Sequence, residues 1–127
     1  AKENALIKYY FANDSIATIS QKKIVQMKAF NNQLWLITAD ELLKWEDEEL
    51  NVIYKAEEEQ IFQCLEINNK NSFIGHNQGI TLLEKGKKIK TIGSYLNPSK
   101  LIRNESSIFI LSENGISEGL SNMIFPR

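Results

Sequence analysis

The sequence predicts an all-β protein made of propeller-type, four-stranded antiparallel blades, because a hairpin recurs at regular spacing and consists of strand-forming residues. Its three copies lie at residues 34–45, 72–80 and 108–116. Their aromatic residues Trp35, Phe73 and Phe109 are 38 residues (35 to 73) and 36 residues (73 to 109) apart. Repeats of about 40 residues are typical of propeller blades. β-branched and aromatic runs, interrupted by turn residues every ~8–12 positions, favour strands over helices.

The segments between the hairpins supply the other strands of each repeat. Leu6 precedes Trp35 by the same 29 residues that separate Ile80 from Phe109, so the first strands fit the second half of an earlier repeat. Each complete repeat runs in the order inner, aromatic, third and outer strand. The further strand-like segments are residues 5–11, 16–19, 50–54, 61–67, 89–92 and 100–103. We predict one propeller segment over residues 1–127, of about three blade-equivalents, divided into a partial blade (1–23), two blades (24–59 and 60–97) and a partial blade (98–127).

The aromatic strands are predicted to be covered on both faces. Residues 34–37 and 108–111 are apolar throughout and lack the alternation of a strand that exposes one face to water. We therefore expect Trp35, Phe73 and Phe109 in the core.

The turns after these strands are predicted from their glycines. Residues 77–79 and 113–115 fit a type I turn closed by a glycine in the left-handed region. Glu41 replaces that glycine in the first copy, so we expect about 1 kcal/mol of backbone strain there, or a different turn.

Residues 46–60 are rich in glutamate and helical by propensity. They lack a continuous apolar stripe, which favours strands.

Composition excludes several classes of partner and site. A net charge of −1 and a pI near 5.9 give no basic surface for nucleic acid. A single cysteine, Cys64, excludes an internal disulfide and a cysteine-rich metal site, and its apolar surroundings predict a small buried side chain. No apolar run approaches the ~20 residues that span a bilayer, and residues 1–4 do not begin a signal peptide. An exported form would have its signal removed or located outside this sequence.

Few residues suggest chemistry. His76 is the only histidine, which leaves catalytic triads and multi-histidine metal sites incomplete. We predict a hydrogen-bonding histidine near a turn, with a general base as the alternative.

The charged runs are expected to be solvated turns. The acidic run 46–49 lacks a calcium-loop pattern, and the lysines at 85, 87, 88 and 90 form a basic cluster. Trp45 and Tyr95 are expected to pack half-buried, although either could stack on a sugar ring. No catalytic residue, metal or cofactor is predicted, and ligand-binding residues are not assigned.

The first hairpin, LWLIT followed by ELLKWED, resembles the two-component regulator propeller repeat, whose pattern is Leu-Trp-Ile-Gly-Thr, a turn, Gly-Leu and then an aromatic and an acidic residue. The second copy keeps Gly75 and Gly79 but has Phe73 for tryptophan. The third keeps Gly115 but has Leu111 for glycine. The resemblance covers most of the chain at the level of the repeat.

The resemblance implies a non-catalytic, ligand-binding or sensory module of an extracytoplasmic bacterial signal-transduction sensor, periplasmic or extracellular, with an oligosaccharide or other small molecule as ligand. Such ligands contact loops at one end of the propeller axis, here the loops near His76 and Asn77. The alternatives are a structural adaptor that binds a protein partner, as in a secretion or surface assembly, and an enzyme similar to streptogramin lyases. Three repeats fall short of such a sensor, so the chain would be a fragment, a severed part of a larger propeller, or a short chain that closes by self-association through unpaired blades. Two copies would give six blade-equivalents, within the usual four to eight. Neither nucleic acid nor membrane insertion is expected.

Overall fold

The computed structural model describes residues 5–68, 70–94, 96–104 and 106–112. Over these residues the protein is all-β, with twelve strands and no helix. Consequently, none of the described residues forms a helix that could cross a membrane. The strands are β1 (Leu6–Tyr10), β2 (Ser15–Ser20), β3 (Gln26–Phe30), β4 (Gln33–Ile37), β5 (Glu41–Glu46), β6 (Glu49–Lys55), β7 (Phe62–Ile67), β8 (Asn71–His76), β9 (Gly79–Glu84), β10 (Lys87–Ile92), β11 (Pro98–Arg103) and β12 (Ile108–Ser112).

The strands form two complete antiparallel sheets flanked by two hairpins. Sheet order β3-β4-β5-β6 defines blade 1, and β7-β8-β9-β10 defines blade 2. The pair β1-β2 is the first half-blade and β11-β12 is the second half-blade. Each complete sheet is a meander with the aromatic strand second, as the sequence predicts, and the Glu-rich tract contains strand β6 rather than a helix.

The four sheets stack face to face in chain order, so each blade has an upstream face toward the preceding sheet and a downstream face toward the next. Apolar side chains fill the spaces between sheets, and fully burying one of them stabilises the fold by ~1.5–3 kcal/mol. The buried residues between blades 1 and 2 are Ile37, Leu42, Phe62, Leu65, Ile67, Ile74 and Leu83. Leu6, Leu36 and Leu43 join the first half-blade to blade 1. Cys64, Ile80, Leu96 and Leu101 join blade 2 to the second half-blade.

The three repeat aromatics occupy equivalent strand positions but differ in exposure. Trp35 and Phe73 are half-buried against the clusters downstream of their blades. Phe109 is 59% exposed and Leu111 62% exposed. The prediction that Phe109 lies in the core, on a strand covered on both faces, is therefore wrong for the described residues. The cause is positional, because no described sheet lies downstream of β12.

The turn between β8 and β9 is shorter than predicted but requires its glycine. His76 pairs with Gly79, so only Asn77 and Gln78 lie in the loop. Gly79 has a φ of 120°, and a Cβ at this position would collide with the backbone oxygen of Ile92. The corresponding predicted turn at residues 113–115 lies outside the described residues.

Glu41 adopts an unstrained backbone because Thr38 closes the turn before it. The Thr38 hydroxyl accepts the backbone N–H of Glu41 at 3.1 Å, and the Thr38 N–H donates to the Glu41 carbonyl at 2.9 Å. Positive φ values occur at other residues, including two other glutamates, with 62° at Glu48 and 65° at Glu59. The sequence analysis left two outcomes open for Glu41, backbone strain or a different turn, and the structure has the different turn.

The structure predicts that Glu59→Gly stabilises the protein by ~0.5–1 kcal/mol, because glycine removes the left-handed strain at an exposed loop position. Glu41→Gly is the matched control. It places a glycine in strand β5, where φ is not positive, and should destabilise by a similar amount. Urea denaturation of both variants measures the two changes. A loss of stability in Glu59→Gly would contradict this account of the loop.

Candidate ligand-binding cleft

A cleft of about 550 Å³ opens between blades 1 and 2. It lies at the hairpin end of the blades, where β7 turns into β8 and β9 turns into β10. The opposite end, where loops pass from one sheet to the next, is the connecting end. The cleft is lined by Gln33, Trp35, Lys44, Glu46, Ile53, Ile67, Asn68, Lys70, Asn71, Ser72, Glu84, Lys85 and Gly86.

Trp35 forms an aromatic wall of the cleft. Strand β4 directs it to the downstream face of blade 1, where it pairs across the sheet with Lys28 and Lys44. The Lys44 ammonium lies 5.0 Å from the centre of the indole ring and 3.2 Å from a Glu46 carboxylate oxygen. The indole nitrogen is buried and has no hydrogen-bond partner among the described residues. An unpaired buried donor of this kind is costly to the fold, and because the nitrogen is buried, Trp35 does not offer this N–H to the cleft.

Polar side chains on two hairpin turns line the same cleft as Trp35. Asn68 fixes the β7–β8 turn, since its side-chain oxygen accepts the backbone N–H groups of Lys70 at 2.9 Å and Asn71 at 2.7 Å. The β9–β10 turn contributes Lys85, which has a φ of 53°. No described carboxylate forms an ion pair with Lys70 or Lys85, and both side chains are exposed. The cleft thus combines an aromatic wall with amide and ammonium donors, which suit hydroxyl and carboxylate groups.

A second hollow of about 670 Å³ lies at the connecting end. It is lined by Lys22, Lys23, Val25, Thr38, Ala39, Asp40, Glu41, Ile61 and Phe62. Two of its charged lining residues pair with each other, since Lys22 forms a 2.7 Å ion pair with Glu41. This is the end of the blades at which the resemblance predicts ligand contacts.

Asn77, at the connecting end, holds the loop between blades together. Its side-chain oxygen accepts the Ile61 N–H at 2.7 Å, and its side-chain nitrogen donates to the Glu59 carbonyl at 2.9 Å. Both polar atoms therefore serve the fold.

His76 is fully buried and hydrogen-bonded on both ring nitrogens. Nδ1 accepts the Gln78 N–H at 3.1 Å, which assigns the proton to Nε2, and Nε2 then donates to the Thr81 hydroxyl at 2.7 Å. Thr81 is in turn 3.1 Å from the Thr91 hydroxyl. The prediction of a hydrogen-bonding histidine near a turn is confirmed. Burial lowers the pKa of His76, the nearby Lys88 adds to the lowering, and Glu57 partly opposes it.

The remaining predicted positions contribute to the fold. Glu48 forms a 3.0 Å ion pair with Lys8 and so ties the first half-blade to blade 1. The Lys8 ammonium also lies 5.4 Å from the ring centre of Trp45, which is half-buried, as the packing interpretation predicts.

Cys64 is buried, and burial raises its pKa to about 11, as expected for an unreactive thiol. Tyr95 lies outside the described residues. The described residues contain no group of three or more His, Cys, Asp or Glu arranged to hold a metal ion.

The cleft residues on the turns, Asn68, Lys70 and Asn71, were not singled out by the sequence analysis. Lys85 was considered only as part of a solvated basic cluster. The sequence does show that two polar turns recur within blade 2. It does not show that they lie near Trp35, because Trp35 belongs to blade 1 and the two are brought together only by stacking of the blades.

Comparison of this chain with protein-family models, with curated proteins and with solved structures gave no match.

The buried histidine predicts a pH-dependent stability. The pKa of His76 in the folded state lies below the ordinary value of about 6.5. Below pH ~6.5 the histidine therefore binds a proton more readily in the unfolded chain than in the folded one, which favours unfolding. The stability that depends on neutral His76 should therefore be fully present above pH ~6.5, and the free energy of unfolding should decline as the pH falls toward the folded-state pKa. Denaturation at pH 5 to 8 measures the decline. His76→Gln, which removes the only histidine, should be nearly flat over this range, and an equal decline in that variant would contradict the assignment.

Proposed function

We propose that this chain is a non-catalytic ligand-binding module of an extracytoplasmic sensor propeller, and that the cleft between blades 1 and 2 binds a glycan fragment. The observation that carries the proposal is a cleft that combines the Trp35 ring with amide and ammonium donors, among them Lys70 and Lys85, which have no carboxylate partner among the described residues. The resemblance of the hairpins to two-component regulator propeller repeats supports the sensory role and the compartment.

The charges of the cleft favour an acidic sugar over a neutral one. Lys44 is already paired with Glu46, whereas Lys70 and Lys85 have no carboxylate partner among the described residues. Glu84 is the cleft's other carboxylate. One ligand carboxylate between the two lysines would complete the charge balance. Hydrogen bonds between the ligand and these charged groups would contribute ~1.5–3 kcal/mol each.

A second candidate is an adaptor that holds a protein partner. The observation that favours it is that the outward faces of both half-blades expose apolar side chains, Ile7, Tyr9 and Ile16 at one end and Phe109 and Leu111 at the other. Apolar faces of this kind commonly mark interaction surfaces.

Tryptophan fluorescence tests the ligand proposal. The chain has two tryptophans, and Trp45→Phe leaves Trp35, in the cleft, as the sole reporter. We expect oligogalacturonides to change its emission saturably, and neutral maltooligosaccharides of equal length to bind more weakly. Replacing Lys70 and Lys85 together by alanine should weaken oligogalacturonide binding at least about tenfold, because two charge-assisted contacts are lost.

The matched control replaces Lys22 and Lys23 by alanine in the connecting-end hollow. This variant should bind oligogalacturonides like the parent. A loss of affinity in the control alone would move the site to the connecting end and contradict the cleft assignment. Absence of saturable binding by either class of sugar in the parent protein would contradict the glycan ligand.

A further inference from the structure

The cleft between blades 1 and 2 is bounded on its outer side and continues on its inner side. On the outer side, the β9–β10 turn lies against the outer strand of blade 1, since a Cβ on Gly86 would be only 3.1 Å from Ile53 Cγ2. On the inner side, the cleft reaches the β7–β8 turn. A hollow of about 270 Å³ begins on that same turn and extends to the second half-blade. It is lined by Asn68, Lys70, Asn71 and Arg103.

The β7–β8 turn, which the cleft and the hollow share, presents hydrogen-bond donors in a fixed arrangement. The side-chain oxygen of Asn68 already accepts two backbone N–H groups of the turn, so its amino group, a donor, is what it offers to a ligand. The β11–β12 turn is held in the same way, because the side-chain oxygen of Asn104 accepts two backbone N–H groups at 3.2 and 3.0 Å. Both turns are therefore ordered before a ligand binds, which lowers the entropic cost of binding.

Arg103 supplies a positive charge on the far side of the hollow. Its backbone N–H donates to a Glu66 carboxylate oxygen at 3.0 Å, which fixes the residue beside blade 2. The other Glu66 oxygen accepts the Ile67 N–H at 3.0 Å, so backbone groups occupy this carboxylate. The Arg103 guanidinium is exposed, donates to the Asn104 carbonyl at 3.4 Å and forms no ion pair with a carboxylate in the described part of the chain. Its planar set of donors suits a ligand carboxylate.

We propose that the acidic glycan is an oligomer with at least two adjacent acidic sugars, one bound in the cleft and the next in the hollow. Lys70 lines both spaces. The first ligand carboxylate lies between Lys85 and Lys70, and the second lies between Lys70 and Arg103. A chain with one carboxylate on each sugar matches this row of cations, whereas a single acidic sugar contacts only part of it. Because the cleft is bounded at Gly86, the end of the sugar chain lies there and further sugars extend past Arg103.

This inference rests on the proposed function and adds a dependence on ligand length. Trp35 fluorescence of the Trp45→Phe protein measures the affinity for galacturonic acid and for its trimer. We expect the trimer to bind at least about tenfold more tightly than the monomer, because a second set of charge-assisted contacts forms. Arg103→Ala should remove most of this gain and leave the affinity for the monomer unchanged. Arg103→Lys should restore part of the gain, since it keeps the charge without the planar donors.

Two controls separate the hollow from general attraction between charges. Lys100→Ala removes an exposed cation from the same strand, β11, but outside both spaces, and should keep the full gain with length. A triglutamate peptide with blocked ends carries as many carboxylates as the sugar trimer and should bind more weakly than the trimer.

Each of the other outcomes overturns a defined part of the account. Equal affinities for monomer and trimer, or a gain with length that survives Arg103→Ala, would overturn the second subsite and leave the proposed function intact. Equal binding of triglutamate and the sugar trimer would show that these cations recognise an acidic peptide as well as a sugar, which contradicts the oligosaccharide assignment. Absence of binding by both the monomer and the trimer would contradict the proposed function itself.

Discussion

The structure depends on one constraint, that its sheets are apolar on both faces. Leu36 on the upstream face of β4 and Ile37 on its downstream face are both fully buried, so blade 1 is stable only between two neighbours. A sheet of this composition standing alone would expose two apolar surfaces. Stacking removes that cost for every sheet except those at the ends. The stability of the whole therefore rises with each neighbour added, as in other repeat architectures.

Polar contacts set the spacing between the sheets without filling the core. The Leu65 N–H in blade 2 donates to the Gln26 side chain of blade 1 at 3.0 Å. Lys88 on the outer strand of blade 2 pairs with Glu57 in the loop that follows blade 1, at 2.8 Å. The pair is exposed and contributes little energy, but it fixes how the outer strand meets the loop. Inside blade 2, the His76–Thr81–Thr91 chain instead links three strands of one sheet. The contacts between blades are the ones that bear on how the sheets meet. These contacts orient sheets that apolar packing alone would allow to slide.

The sequence predicted the strands and their order because those depend on local pattern and on repetition. Each strand has apolar or β-branched residues between turn residues, and the fixed offsets from Trp35, Phe73 and Phe109 identify equivalent strands. Exposure could not be predicted in the same way. Phe109 has the pattern of a core residue, yet its environment depends on whether a further sheet covers it, which no local pattern encodes. The turn at Glu41 was ambiguous for a related reason, because Thr38, three positions earlier, supplies the hydrogen bonds that replace a glycine. The cleft between blades 1 and 2 combines turns of one blade with an aromatic strand of another, so only the stacked structure reveals it.

Equivalent positions in successive inter-blade spaces have different chemistry. Between blades 1 and 2, the positions beside the aromatic hold Lys44 and Ser72, so the hairpin end of that space is polar. Between blade 2 and the second half-blade, the same two positions hold Leu82 and Ile108, so the corresponding space is apolar. A polar space flanked by complete sheets can remain open to a soluble ligand without loss of stability. An apolar space flanked by an incomplete sheet gains stability when further strands cover it. Two side-chain exchanges at the same geometric site thus make one inter-blade space polar and the next apolar.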